Sequence, residues 1–142
     1  GMGLEYHADN EQTRFNILFG DYDFIILQHV AHPMGEFTVL EEASDRIMEW
    51  IKQTRSIACF FMTWTEEGNE AFQKEMSSRY RKLADKYGCK VAPVGEKWWA
   101  HIHEHPEIDL YFEDRRHASV EGTRLAAQTI YDTLFTQFLP NL

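Results

Sequence analysis

Asp114 and His117 stand three residues apart in the stretch Leu110-Tyr111-Phe112-Glu113-Asp114-Arg115-Arg116-His117, directly ahead of an apolar-periodic segment that runs on past Phe135. An imidazole can accept a proton from a nucleophile near neutral pH. A carboxylate beside it fixes the tautomer and stabilises the imidazolium that forms. The pair therefore has the makings of the back half of a catalytic triad. A DxxH pair in a loop is more often a capping or surface feature; placement after the last strand and before the last helix of an α/β chain is where hydrolases set their acid and base. The front half is absent. The serines are Ser44, Ser56, Ser77, Ser78 and Ser119, and each reads as a surface or capping residue, not as a nucleophile on a strand-to-helix elbow.

Two other groups carry possible chemistry. His101, His103 and His105 alternate, so on a strand they would share one face and, with Glu104 or His29, could ligate zinc. The segment around them is rich in Trp, His and Pro and reads instead as a loop, which makes it a pocket wall. His29 and His32 flank the end of the first apolar run, where a structural role competes with a role in a site. Trp64 ends the second apolar run. With Trp98 it could wall a site for a sugar or an acyl chain, while Trp98, Trp99, Tyr111 and Phe112 read mainly as packing residues.

The elements that must position these groups alternate along the chain. Gly3 to His7 suggests a brief strand. Asp9 or Asn10 can cap a helix from about Glu11 to Phe19, with Phe15, Leu18 and Phe19 as its apolar face and Gly20 at its end. Asp23 to Gln28 is a continuous apolar run and predicts a strand buried on both faces. Thr38 with Glu41 forms a capping box for a second helix carrying Leu40, Ala43, Ile47, Trp50 and Ile51. Ile57 to Trp64 predicts a second buried strand. Asn69 to Tyr87 predicts a long helix closed by Gly88. Lys90 to Gly95 predicts a third, edge-like strand, since Pro93 cannot donate to a ladder. Lys97 to Asp109 reads as a loop or broken helix, and Val120 to Phe138 as the last helix. This alternation is the pattern of an α/β fold with a parallel sheet, whose sites form at the C-terminal ends of strands. Gln28, His29, Thr63, Trp64 and Gly95 fall there.

Composition narrows the classes. The chain has 142 residues, a single-domain length, with 44% hydrophobic and 14% aromatic residues, enough for a packed core. The net charge of -9 offers no basic surface to offset phosphate repulsion and so argues against nucleic acid. No apolar run reaches the 18 residues of a membrane span, and no signal peptide is visible. Cys59 and Cys89 form no CxxC and no disulfide framework. Gly1 ahead of Met2 reads as a remnant of tag removal. A start so near the first motif predicts a domain, residues 1–142, that is truncated at its N-terminal side.

Three stretches resemble the SGNH hydrolases, the GDSL-type esterases, and specifically their acetylhydrolase-like branch. Gly3-Leu4-Glu5-Tyr6-His7 is similar to the region near that family's second block. Asp21-Tyr22-Asp23-Phe24-Ile25-Ile26-Leu27-Gln28 is similar to its third block. Leu110 to Phe135 resembles the final block, which carries the family's catalytic Asp and His. The resemblance implies a flavodoxin-like three-layer α/β/α sandwich with a parallel sheet in the order 2-1-3-4-5. It implies ester hydrolysis through an acyl-enzyme on small or carbohydrate esters, with no metal and no cofactor. Carried over, His117 is the general base, Asp114 its orienter, Gln28 the third-block polar residue near the oxyanion, and Gly3 the nearest candidate for the second-block glycine. Trp64 remains a candidate substrate-binding residue.

The departures are specific. Ala118 replaces the usual Pro after the His. The first block, a strand ending in a Gly-Asp-Ser or Gly-Asn-Ser, has no counterpart: Ile17-Leu18-Phe19-Gly20-Asp21-Tyr22 mimics it, but Tyr22 stands at the serine position. That strand lies at the centre of the family's sheet. Without it the strand at Phe24 to Gln28 has an open edge, and an open apolar edge calls for a cover. The expectation is a homodimer through this edge. The activity expected of this chain is little or none, because its nucleophile is absent. A non-catalytic binding or assembly module on the same scaffold is the alternative, and a metal-dependent hydrolase built on His101, His103 and His105 is the third reading.

Overall fold

The computed structural model describes residues 2–31 and 34–136. Its elements in order are α1 (Leu4–Ala8), α2 (Glu11–Phe19), β1 (Phe24–Leu27), α3 (Phe37–Ile51), β2 (Ile57–Phe61), α4 (Glu70–Tyr87), β3 (Lys90–Ala92), α5 (Val94–Glu104) and α6 (Val120–Phe135). The three strands form one parallel sheet in the order β1-β2-β3. Phe24 lies opposite Ile57 and Leu27 opposite Phe60, while Phe60 lies opposite Val91.

Side chains alternate across the sheet and split the core in two. Ile25, Leu27, Ala58, Phe60 and Val91 face a cluster built by α1, α2, α3 and α4. Phe24, Cys59, Phe61 and Ala92 face a second cluster built by α5 and α6. The result is the three-layer α/β/α sandwich of a flavodoxin-like fold with a short, open sheet. Cys59 and Cys89 pack in different clusters and are free thiols; burial pushes the Cys89 thiol up to about 11.

Local chemistry explains most boundaries. Asn10 caps α2 by accepting the Thr13 N–H at 2.9 Å. Gly88 closes α4 in the left-handed region at φ +62, where a Cβ would be strained. Ser119 caps α6 by accepting the Gly122 N–H at 3.1 Å.

Five expectations need correction. Gly3 to His7 is not a strand: Gly3 is the extended N-cap of α1, and the Leu4 N–H donates to Nδ1 of buried His29 at 3.0 Å. A five-residue helix has little stability alone, and α1 stands by packing on α3. On α2 the buried apolar residue is Ile17, while Phe15 and Phe19 are exposed. α3 starts at Phe37 with Glu36 at its N-cap and no side-chain cap, so Thr38 and Glu41 form no capping box. β1 is not buried on both faces, since Ile26 is 43% exposed at the sheet edge. Finally, β3 stops at Ala92 and Val94 to Glu104 is a helix, with Val94 and Trp98 buried and Ile102 half-buried on one side. His32 and Phe138 lie outside the described residues.

Candidate active site

The sequence from Leu110 to Ser119 forms a closed hairpin over the C-terminal end of β2. Tyr111 and Ala118 make an antiparallel bridge. The Phe112 N–H donates to the His117 carbonyl at 2.8 Å, and the Ser119 N–H to the Leu110 carbonyl at 2.8 Å. Between these rungs the chain turns sharply, with Arg115 in the left-handed region at φ +60, a conformation that costs a non-glycine residue energy. The side chain of Arg115 offsets that cost. It ion-pairs with Glu67, its Nη1 lies 2.6 Å from Asp109 Oδ2, and its N–H and carbonyl bond to Phe112 and Glu67. This guanidinium holds the carboxyls of Glu67 and Asp109 below their ordinary values.

Within this turn Asp114 and His117 meet. His117 Nδ1 lies 2.5 Å from Asp114 Oδ2. The other carboxylate oxygen accepts the N–H groups of Arg116 at 3.0 Å and His117 at 2.9 Å. The His117 imidazole, followed by these two amides, holds the Asp114 carboxyl far below the usual range. An ionised carboxylate only accepts, so Nδ1 carries a proton, and in the neutral imidazole the lone pair is on Nε2. That is the arrangement of a general base with its orienter. The imidazole side chain is 84% exposed. Among the described residues no hydroxyl lies within hydrogen-bond distance of Nε2, and its position is open to solvent.

Trp64 comes to the same place by a different route. Its indole Nε1 donates to the Arg116 carbonyl at 2.9 Å, tying the turn to the end of β2. Its ring stacks on that of fully buried Trp98 at 4.0 Å and 4°. Trp98 in turn packs edge-on to Tyr111, whose hydroxyl donates to the Thr65 carbonyl at 2.8 Å. Burial raises the Tyr111 hydroxyl to about 12, so it remains a donor at all ordinary pH values. Gly122 is required beneath this stack: a Cβ there would overlap the Leu110 carbonyl and the Trp98 ring.

Gln28 and Gly3 fall elsewhere. Gln28 lines a groove beside β1 together with Met2, Leu4 and Ile26. Gly3 is buried at the start of α1. Among the described residues neither one hydrogen-bonds to the Asp114–His117 turn. His29, at the end of β1, is a structural bracket: its N–H donates to Tyr80 Oη at 3.2 Å, Nδ1 accepts from Leu4, and Nε2 donates to the Met34 carbonyl at 2.8 Å. The His101 and His105 rings lie 4.9 Å apart, tilted by 46°, at the C-terminal end of α5, while His103 turns to Glu70 at 3.0 Å. They do not converge as alternation on a strand would require. Among the described residues no three His, Cys, Asp or Glu side chains gather closely enough to hold a metal ion.

Some positioning residues were not singled out from sequence. Glu66 pairs with Arg116 at 3.0 Å. Buried Gln73 accepts the Thr65 N–H at 2.9 Å and donates to the Thr63 carbonyl at 3.2 Å, fixing the loop that bears Trp64. The available signal was an amide within the apolar stripe of α4, one turn before Met76 and Ser77.

A His–Asp pair at the C-terminal edge of an open parallel sheet, between layers of helices, defines the class of fold: an α/β/α sandwich. Comparison of structures makes it particular. The chain superimposes on a protein from Slackia heliotrinireducens described as "a putative SGNH hydrolase", with a TM-score of 0.83, 20% identity, and coverage of 94% of this chain and 80% of that one. The chain therefore has an SGNH-hydrolase fold. No protein-family model matches the sequence, and no curated protein matches it.

Proposed function

We propose that this chain carries the general base, His117, and the orienting carboxylate, Asp114, of an SGNH-type hydrolase for small or carbohydrate esters, and that by itself it turns over such esters little or not at all. The observation that carries the first half is the 2.5 Å contact from His117 Nδ1 to Asp114, with Nε2 left free. The second half rests on the serines. Ser44 Oγ donates to Leu40, Ser56 to Tyr22 and Ser77 to the Met62 sulfur, while Ser119 bonds both Asp109 and Gly122. Ser78 is exposed on α4, beside the groove facing α5. None is poised beside Nε2.

Loss of one triad member costs about 10^4–10^6-fold in turnover. The test is hydrolysis of p-nitrophenyl acetate by the chain and by His117→Ala. Equal rates are expected. A rate that falls on His117→Ala would show that the chain commands a nucleophile, and the inactive half of the proposal would fail.

The same serine pairings favour the second reading, a binding module on this scaffold. An ester or acetylated sugar that shifts the Trp64 and His117 resonances without being consumed would select it.

A further inference from the structure

The three histidines near the end of α5 are re-sorted by the helix that carries them. On a helix, residues two apart point to different sides, while residues four apart are neighbours on one face. His103 accordingly turns toward Glu70 on α4, and His101 and His105 come together, with ring centres 4.9 Å apart. The His105 N–H donates to the His101 carbonyl at 2.8 Å, so a helical hydrogen bond joins the same two residues through the backbone.

The pair has the dimensions of a chelate. With a metal–nitrogen bond of about 2.0–2.1 Å, two imidazoles on one ion at an angle of about 90–110° hold their ring centres about 4.5–5.2 Å apart. The observed separation falls inside that window, and two histidines four apart on a helix present both rings to one ion. Behind His105, Glu107 Oε1 stands 3.7 Å from Nδ1. A carboxylate on that side favours the proton on Nδ1 and leaves the Nε2 lone pair for a metal, as outer carboxylates do for ligating histidines. His105 is exposed and His101 half-buried, so an ion reaches them from solvent.

The surroundings favour a cation. Lys97, one turn before His101, reaches Asp132 at 3.9 Å, and Arg124, which shares a surface groove with His101, is paired with Glu121. Glu104 and Glu107 flank His105 in the sequence, in a chain of net charge -9. Donor type selects the ion. Imidazole nitrogen suits Cu²⁺, Ni²⁺ and Zn²⁺, whereas Mg²⁺ and Ca²⁺ take oxygen ligands. We infer that His101 and His105 form a two-nitrogen site for a divalent first-row transition-metal ion. Water completes its coordination, so no third protein ligand is needed, and His103 takes no part. This inference stands independently of the esterase reading.

The test is titration of the full chain with NiCl₂ alone, followed by calorimetry and by NMR. Saturable binding is expected, with the paramagnetic ion broadening the His101 and His105 ring signals ahead of those of His103 and His117. Saturating Ni²⁺ should slow hydrogen exchange of the His105 amide at least about tenfold, because the ion staples the two ends of its hydrogen bond. His101→Ala and His105→Ala should each weaken binding at least about tenfold with the far-UV spectrum unchanged, and His103→Ala should leave it as it was. An excess of Mg²⁺ should not compete. No saturation by about 1 mM Ni²⁺ overturns the proposal, as does binding that survives both alanine variants at 101 and 105. An equal loss in His103→Ala, first broadening at another histidine, or displacement by Mg²⁺ would place the ion elsewhere and overturns it too.

Discussion

The hairpin from Leu110 to Ser119 and the edge of β1 treat their polar groups in opposite ways. In the hairpin nearly every donor and acceptor is engaged: rungs at Phe112 and Ser119, two amides on Asp114, a guanidinium on Glu67 and Asp109, an indole on Arg116. At β1 the outward backbone groups of Phe24 and Ile26 have no partner among the described residues. The two regions lie at neighbouring strands of one sheet. The Asp114–His117 turn is pinned by its own backbone, while among the described residues the sheet beside it ends at β1 with helices α1 and α2 reaching past it. The contrast teaches that order and completeness are separate. The exposed imidazole of His117 is oriented by Asp114, and among the described residues no hydroxyl lies within hydrogen-bond reach of it.

If the hairpin is held from below by stacked aromatics, removing the lowest of them should do most damage. Trp98→Ala deletes a fully buried indole that touches Trp64, Tyr111 and the α6 backbone at Gly122. A loss of about 3–5 kcal/mol is expected from cavity formation, read as a fall in the urea midpoint at constant m-value. A loss under 1 kcal/mol would mean that the stack does not support the hairpin. Gly122→Ala attacks the same contact from the other side, by overpacking. It should cost about 1–3 kcal/mol, and the same denaturation series would detect it.

Trp64→Phe is gentler. It keeps much of the ring stacking and deletes one indole N–H, so about 1 kcal/mol is expected. The more telling readout is the amide exchange of Arg116 and His117, which should quicken while that of α4 stays put. Acid should produce a related loosening. The Asp114 carboxyl is depressed in the folded chain, so its contribution is fully present above the ordinary carboxyl range near pH 4 and is lost only as the pH falls through the lower folded value. The Trp64 indole proton should therefore hold its NMR position through the ordinary carboxyl range near pH 4 and move only well below it, as Asp114 itself titrates. In Asp114→Asn that acid step should vanish.

How far the sequence foretold this contrast depends on the range of the interactions. Asp114 and His117 are brought together by a local turn, with amides two and three residues on bonding the carboxylate, so their spacing alone encodes the contact. The long apolar stripe of α4 and the run at Ile57 to Phe61 were equally legible, being periodic over many residues. α1 was misread because its helix depends on His29, twenty-five residues away, and on α3. The sequence reads as a loop or broken helix at α5 because Pro106 and the alternating histidines interrupt the apolar pattern, whereas Val94, Trp98 and Ile102 at helical spacing carry the helix. The burial of β1 was misjudged for a deeper reason. An apolar run does not tell an edge strand from a central one, and here β1 is the edge of the described sheet, with Ile26 exposed. The Trp64 indole bond to Arg116 spans fifty-two residues and left no local trace.

The smallest expected effect is the sharpest test of the comparison. Ile26→Pro should change stability by no more than about 0.5 kcal/mol, even though proline within a sheet is ordinarily disruptive. The reason lies in the alternation of backbone groups along a strand. The Ile26 N–H points into the groove, and the residue is 43% exposed, so the ring takes away a donor that folding leaves unused. The same substitution one residue earlier, Ile25→Pro, would break a bond of the β1–β2 ladder and should destabilise strongly. A chemical denaturation pair on the two variants is therefore an internal measurement of which side of β1 is open. Equal damage from both would mean that the outer side of β1 is already paired, and the difference between the pinned hairpin and the open edge would disappear.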